Sequence, residues 1–167
     1  MIFITTGSRS FQFNRLLETV DKAIENGAIT DEVFAQIGSS NYPIRNYKYK
    51  EFLNHDEFNE KLNKCDIVLT HGGTGVIVNS VKMGKRVVAV PRLVKYGEVI
   101  DDHQIQLVKA FAQMDMVTPC YECTSGMIAQ AIDVAKKKKV KPYHSNTQVI
   151  MNKNLYPPFE MGAEAKP

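Results

Sequence analysis

The stretch Cys65-Asp66-Ile67-Val68-Leu69-Thr70-His71-Gly72-Gly73-Thr74-Gly75-Val76-Ile77-Val78-Asn79-Ser80-Val81 decides the fold. Ile67-Val68-Leu69-Thr70 is a short continuous apolar run, the pattern of a strand buried on both faces. After it, Ile77, Val78, Val81 and Met83 recur at helical spacing until Gly84 stops the helix. THGGTG, residues 70 to 75, must therefore turn a buried strand into a helix. Glycines at such a turn let the backbone come close to a ligand, and the first amides of a helix sit at the positive end of its dipole. A phosphate is the natural guest, with His71 as a donor and Thr74 adding a hydroxyl. The hexapeptide also fits a turn whose glycines serve only the backbone.

Working outward, the same alternation repeats. Ile2 to Thr5 reads as a first strand, followed by the turn Thr6-Gly7-Ser8-Arg9-Ser10 and a helix over about 13–25 with Leu16, Leu17, Val20 and Ile24 on one face. Val33 to Ile37 is a second strand and Tyr47 to Leu53 a third, after which Asp56 is expected to cap a short helix carrying Phe58 and Leu62. Arg86 to Val90 is the strand after the glycine helix, closed by Pro91. Asp101 or Asp102 is expected to cap a helix with Ile105, Leu107, Val108 and Phe111 inward. A short strand near Met116-Val117 and a helix from Ser125 to about Lys137 complete the pattern. Continuous apolar strands alternating with amphipathic helices predict a single α/β domain, a Rossmann-like, doubly wound and mostly parallel sheet, over residues 1–140. Residues 141–160 are expected to form a helical segment capped by Ser145. It either docks a partner through Val149, Ile150, Met151, Leu155, Tyr156 and Phe159 or folds back as a last core helix. Residues 161–167 are expected to be a disordered tail.

Composition excludes several classes. The 167-residue chain is 44% hydrophobic and 23% charged, with a formal net charge of +3, too little to argue for nucleic acid. Lys136 to Lys139 reads as a solvated helix end or a local anionic contact. No apolar run approaches membrane-spanning length, and the N-terminus lacks the features of a signal peptide, so a cytoplasmic location is expected. The three cysteines fit a reducing compartment, and Cys120-x-x-Cys123, without a second ligand pair, reads as structurally neutral.

In an open parallel sheet, ligands bind at the carboxyl ends of strands. Gly7 and Ser8 lie at one such end and His71 to Gly75 at another, and two facing glycine turns suggest a diphosphate. Neither turn ends in Gly-Lys-Ser/Thr nor shows a spaced Gly-x-Gly-x-x-Gly, which disfavours a P-loop ATPase and a dinucleotide dehydrogenase. A third element, Pro91-Arg92, Gly97-Glu98 and Asp101-Asp102-His103-Gln104, can bind sugar hydroxyls or phosphate, or can supply only a helix cap.

Taken in order, TTGS (5–8), THGGTG (70–75), VAVPR (88–92) and DDHQ (101–104) resemble the C-terminal, nucleotide-sugar-binding half of GT-B glycosyltransferases of the MurG type, family 28. The short chain with PRLVKYGEVIDDHQ (91–104) resembles more closely the split-subunit members, such as exopolysaccharide or capsule subunits of the PssE type and the catalytic subunit of the dolichol-pathway N-acetylglucosaminyltransferase. The resemblance implies a UDP-sugar donor, no cofactor and no metal, a polyprenyl-diphosphate-linked saccharide acceptor, and a separate membrane-anchored subunit that binds the acceptor. The chain would then be held at the inner face of the membrane through that partner. Carried over by position, Gly7, Ser8, His71, Gly72, Gly73, Thr74 and Gly75 would meet the diphosphate, with Arg92 available to it. Asp102, His103 and Gln104 would meet the sugar or its phosphate. Asn79 stands where the family often has a ribose-gripping Glu, so it can hydrogen-bond a diol but brings no charge. His71 would hold the growing charge on the leaving group, and Glu98, Asp101 and Asp102 are candidates for the base. A hexose transferase, inverting and metal-independent, is the expected activity. The alternatives are a non-catalytic UDP-sugar-binding subunit that regulates a partner transferase, and an unrelated phosphate-ligand domain.

Overall fold

A computed structural model describes residues 1–140. The expected helical segment over 141–160 and the tail over 161–167 lie outside the described residues.

The elements follow in the order β1 (Ile2–Thr5), α1 (Asn14–Glu25), β2 (Val33–Gln36), β3 (Lys48–Lys50), α2 (His55–Lys64), β4 (Ile67–Thr70), α3 (Thr74–Lys82), β5 (Arg86–Ala89), α4 (His103–Gln113), β6 (Thr118–Pro119) and α5 (Ser125–Lys137), with a 3-10 turn at Val94–Tyr96. They build one six-stranded sheet of order β3-β2-β1-β4-β5-β6. Every pairing is parallel, and Ile2 sits opposite both Val33 and Ile67.

Strand periodicity of two divides the core. Ile2, Ile4, Ile67, Leu69 and Val88 point to the face covered by Leu16, Leu17 and Val20 of α1 and Ile128, Ile132 and Ala135 of α5. Phe3, Val68, Val87 and Ala89 point the other way, onto Leu62 of α2, Ile77 of α3 and Val108 and Phe111 of α4. The central strands β1 and β4 are buried along their whole length, as the unbroken apolar runs require. Phe3 is central to the second face, with the ring of Phe58 edge-on at 5.3 Å between centroids.

Two local expectations need correction. Asn54, not Asp56, caps α2: its side chain accepts from the Glu57 amide at 2.9 Å while Glu57 accepts from the Asn54 amide at 3.0 Å. This reciprocal pair satisfies two amides at once and so outcompetes Asp56, which sits in the first turn. The last strand begins at Thr118 rather than Met116, because the Met116 amide still bonds the Phe111 carbonyl at 2.9 Å and closes the end of α4.

Candidate crevice at the carboxyl ends of β1 and β4

From β1 the chain builds outward to β2 and β3 on one side, and from β4 to β5 and β6 on the other. The crevice of such a sheet opens where the order reverses, between β1 and β4. Thr5 and Thr70 are paired there, at the last position of each strand. The Thr70 hydroxyl donates to the Thr5 carbonyl at 2.8 Å, tying the two strand ends together.

His71 is wedged directly above this seam. A Cβ on Gly7 would lie 2.7 Å from its Cε1, and one on Gly73 would lie 2.3 Å from its Nε2. Both turns need glycine because the imidazole fills the space a side chain would take, and Gly7 also adopts a left-handed φ of 82°. The Nδ1 of His71 lies 3.2 Å from the Thr70 hydroxyl. That hydroxyl spends its only proton on Thr5, so it can only accept from the ring. This assigns the proton to Nδ1 and leaves Nε2 with only its lone pair between the glycine turns, so the neutral ring does not donate to a phosphate there, contrary to the expectation that His71 would hold the leaving-group charge. Burial, and then the positive charges of Arg92 and Arg9, push the imidazole pKa down to about 4, so the ring is neutral at pH 7. Gly73 is the N-cap of α3 and supplies no side-chain cap to the helix, leaving that first turn the dipole end suited to an anion.

The expected binding residues divide into two groups. Gly7, His71 and Gly73 meet at the seam, Ser8 lines the adjoining cavity, Gly72 rests against Gln104, and Thr74 and Gly75 open α3. Gln104 reaches the same place from α4, but its amide oxygen already accepts from the Gly72 amide and the Arg92 amide, each at 3.1 Å. It braces the glycine turn against the end of β5. Asp102 and His103 are exposed at the start of α4, and Asp102 accepts from the Val94 amide at 3.0 Å. Asn79 is exposed on α3, one turn beyond Val76.

Arg92 and Glu98 are placed differently from expectation. Arg92 is only 2% exposed, and its guanidinium donates to the carbonyls of Thr6 and Phe11. It lies beneath the β1–α1 turn and acts on the crevice through its charge rather than by contact. Glu98 is fully buried, gripped through both oxygens by Arg15 at 2.8 Å and by the Leu93 amide at 2.9 Å. A carboxylate held in this way faces no substrate, so Glu98 is not a base.

A cavity of about 280 Å³ adjoins the seam, lined by Thr5 at the end of β1 and Gly7 and Ser8 after it, by Phe52, Leu53, His55 and Phe58 after β3, and by Val76 of α3. Sequence reasoning missed Phe52, Leu53, His55 and Phe58. They follow β3 at its carboxyl end, so the rule that singled out the turns after β1 and β4 would have found them. Gln36 fixes this wall, accepting from the Leu53 amide at 3.1 Å. Arg9 was passed over as a turn residue. The thiols take no part: burial raises Cys120 to about 12 and also raises Cys123.

The glycosyltransferase family 28 C-terminal domain matches residues 1–155. The chain belongs to this family. A curated relative in Saccharomyces cerevisiae, the UDP-N-acetylglucosamine transferase subunit ALG13, is 28% identical over 78 residues, which are 47% of this chain and 36% of the yeast protein. The match thus spans about a third of that relative's length. Among solved structures, MurG of Acinetobacter baumannii has a TM-score of 0.58 at 18% identity, with 81% of this chain and 41% of MurG covered. The solution structure of ALG13 has a TM-score of 0.58 at 17% identity and covers 90% of this chain and 92% of that one. The family 28 fold is therefore present as a single α/β domain resembling the C-terminal half of a GT-B enzyme. No helix among the described residues is long and apolar enough to cross a membrane.

Proposed function

We propose that this family 28 domain is the donor-binding and catalytic subunit of a transferase that moves a hexose from a UDP-sugar to a polyprenyl-diphosphate-linked saccharide. In this reading it works in exopolysaccharide or capsule biosynthesis, at the inner face of the membrane, with a membrane-anchored subunit that binds the acceptor. The observation that carries the reading is the wedging of His71 between Gly7 and Gly73 at the β1/β4 seam. It brings two glycine turns and a helix N-terminus to one point, which suits a diphosphate. The adjoining cavity, with Phe52, Phe58 and Val76 in its walls, has the apolar character and size for a nucleobase. Asn79 is available to the ribose and Asp102 and His103 to the sugar.

The chemistry follows from that arrangement. In an inverting transfer the acceptor hydroxyl attacks the anomeric carbon, the bond from that carbon to the diphosphate oxygen breaks, and UDP leaves with the bonding pair. The hydroxyl proton passes to a base, for which Asp102, exposed beside Asp101 at the start of α4, is our candidate on this chain. Charge growing on the leaving oxygen is met by the first turn of α3 and by the buried charge of Arg92. No metal enters this reading.

A second reading, a non-catalytic UDP-sugar-binding subunit that regulates a partner transferase, is favoured by two particulars: Glu98 is sealed in an ion pair, and Asn79 is uncharged. Transfer of labelled sugar from a UDP-sugar panel into lipid-linked product, using membranes that contain the partner, separates the two. The first reading predicts product that depends on added chain and falls at least about ten-fold with Asp102→Asn at unchanged UDP affinity. Undiminished product with both Asp102→Asn and Asp101→Asn assigns the base to the partner, and UDP binding without any turnover supports the second reading.

A further inference from the structure

The turn that carries Gly7 and Ser8 is an arch with both feet fixed. Arg92, buried below it, donates to the Thr6 carbonyl at one foot and to the Phe11 carbonyl at the other. Gln12 then ties the descending limb to the Tyr96 carbonyl at 2.9 Å. Between the feet, Gly7 rests on the His71 ring and Ser8 lines the cavity. Arg9 follows Ser8 at the top of the arch and is exposed. Among the described residues no carboxylate pairs with it. The buried carboxylate of Glu98 is held by Arg15. Arg9 is nevertheless close enough to the seam for its charge to depress the protonation of both His71 and Arg92.

An arginine in this position raises the free energy of the empty protein. It adds positive charge to a crevice that already contains a buried guanidinium whose Nε has no partner among the described residues. The one carboxylate that acts on Arg92, Glu98, is already gripped by Arg15, so positive charge is in excess and is stabilised when an anion with more than one charge enters. A guanidinium also suits phosphate because its fork reaches two oxygens at once.

We propose that Arg9 is a substrate-contacting clamp that swings from the arch onto the terminal, sugar-bearing phosphate of the donor. This inference rests on the diphosphate reading of the crevice. The phosphate next to the nucleoside is met by the glycine turn at α3, and the second phosphate by Arg9. Its role is then selective for nucleoside diphosphates over monophosphates, and it holds the group on which charge accumulates as the sugar departs.

The experiment is calorimetric titration of the full chain with UDP and with UMP, for the wild type, Arg9→Ala and Arg9→Lys. The clamp predicts that Arg9→Ala weakens UDP roughly ten-fold or more and leaves UMP within about two-fold, with Arg9→Lys between them. The melting temperature of Arg9→Lys should match the wild type and that of Arg9→Ala should be no lower, because the exposed side chain adds only repulsive charge to the ligand-free protein. Equal weakening of UDP and UMP would mean a general field effect and overturn the clamp, as would an unchanged UDP/UMP ratio in Arg9→Ala. A wild type that binds neither nucleotide overturns the reading of the crevice and the inference with it, whereas one that prefers UDP but ignores the Arg9 substitutions overturns the inference alone.

Discussion

His71 organises the crevice through one side chain. Its ring is the surface on which both glycine turns pack, and its neutral state is set by burial beside two arginines. Because the folded pKa is near 4 and the ordinary value 6.5, the unfolded chain binds a proton between these limits that the folded protein refuses. Stability contributed by this site is therefore complete above about pH 6.5, is lost as pH falls, and levels off below about pH 4. The loss is at most about 3 kcal/mol. Melting temperatures of wild type and His71→Asn measured from pH 4 to pH 7 should show a slope that flattens in the variant; parallel slopes would mean that His71 does not titrate as its surroundings dictate. At this scale the sequence was partly legible. Glycines, a histidine and hydroxyls after an apolar strand pointed to the seam, but pattern alone could not show that Gly7 and Gly73 are glycine because of His71. That fact depends on the pairing of β1 with β4, residues 65 positions apart.

Among the elements, the segment from β5 to α4 shows where sequence reading ran out. In the sequence, Arg92, Glu98 and Asp101 to Gln104 fit either groups available to a ligand at the carboxyl end of a strand or a helix cap. The fold turns two of them inward. Arg15 comes from α1, a helix that follows a different strand, and its bidentate grip on Glu98 closes the loop from below. Long-range ion pairs leave no periodic trace, so Glu98 looked the same as Asp102 in the sequence. Removing one member of a buried pair leaves the other charge uncompensated, which typically costs 3–5 kcal/mol. Glu98→Gln should accordingly lower unfolding free energy in urea by about 3 kcal/mol while leaving UDP affinity of the folded fraction within about two-fold. A variant as stable as wild type that loses transfer would restore Glu98 to the chemistry. By contrast, α1, α3 and α5 were legible nearly to the residue, because their buried positions repeat at helical spacing and their ends carry recognisable stops.

For the molecule as a whole, the parallel sheet was readable because β1, β4 and β5 are apolar without alternation, which only strands covered on both faces require. The strand order was not, since nothing in the residues states that β4 returns to lie beside β1. That return creates the switch point, and with it the crevice. The crevice is therefore a property of topology, and the turns after β1 and β4 acquire a shared ligand only because the chain reverses its direction of growth there. It is also open on the side away from the sheet, whereas sugar transfer must exclude water and hold an acceptor, so a second protein surface belongs in the proposed reaction. The claim that supports everything else is that the β1/β4 seam holds the diphosphate of a UDP-sugar. Calorimetric titration of UDP into wild type and Gly73→Val, with the fold of both checked by circular dichroism, tests it most directly. A Cβ at Gly73 would drive into His71, so the account predicts saturable binding by the wild type and none detectable in a folded variant. Equal UDP affinity in the two folded proteins would place the nucleotide elsewhere and contradict the account.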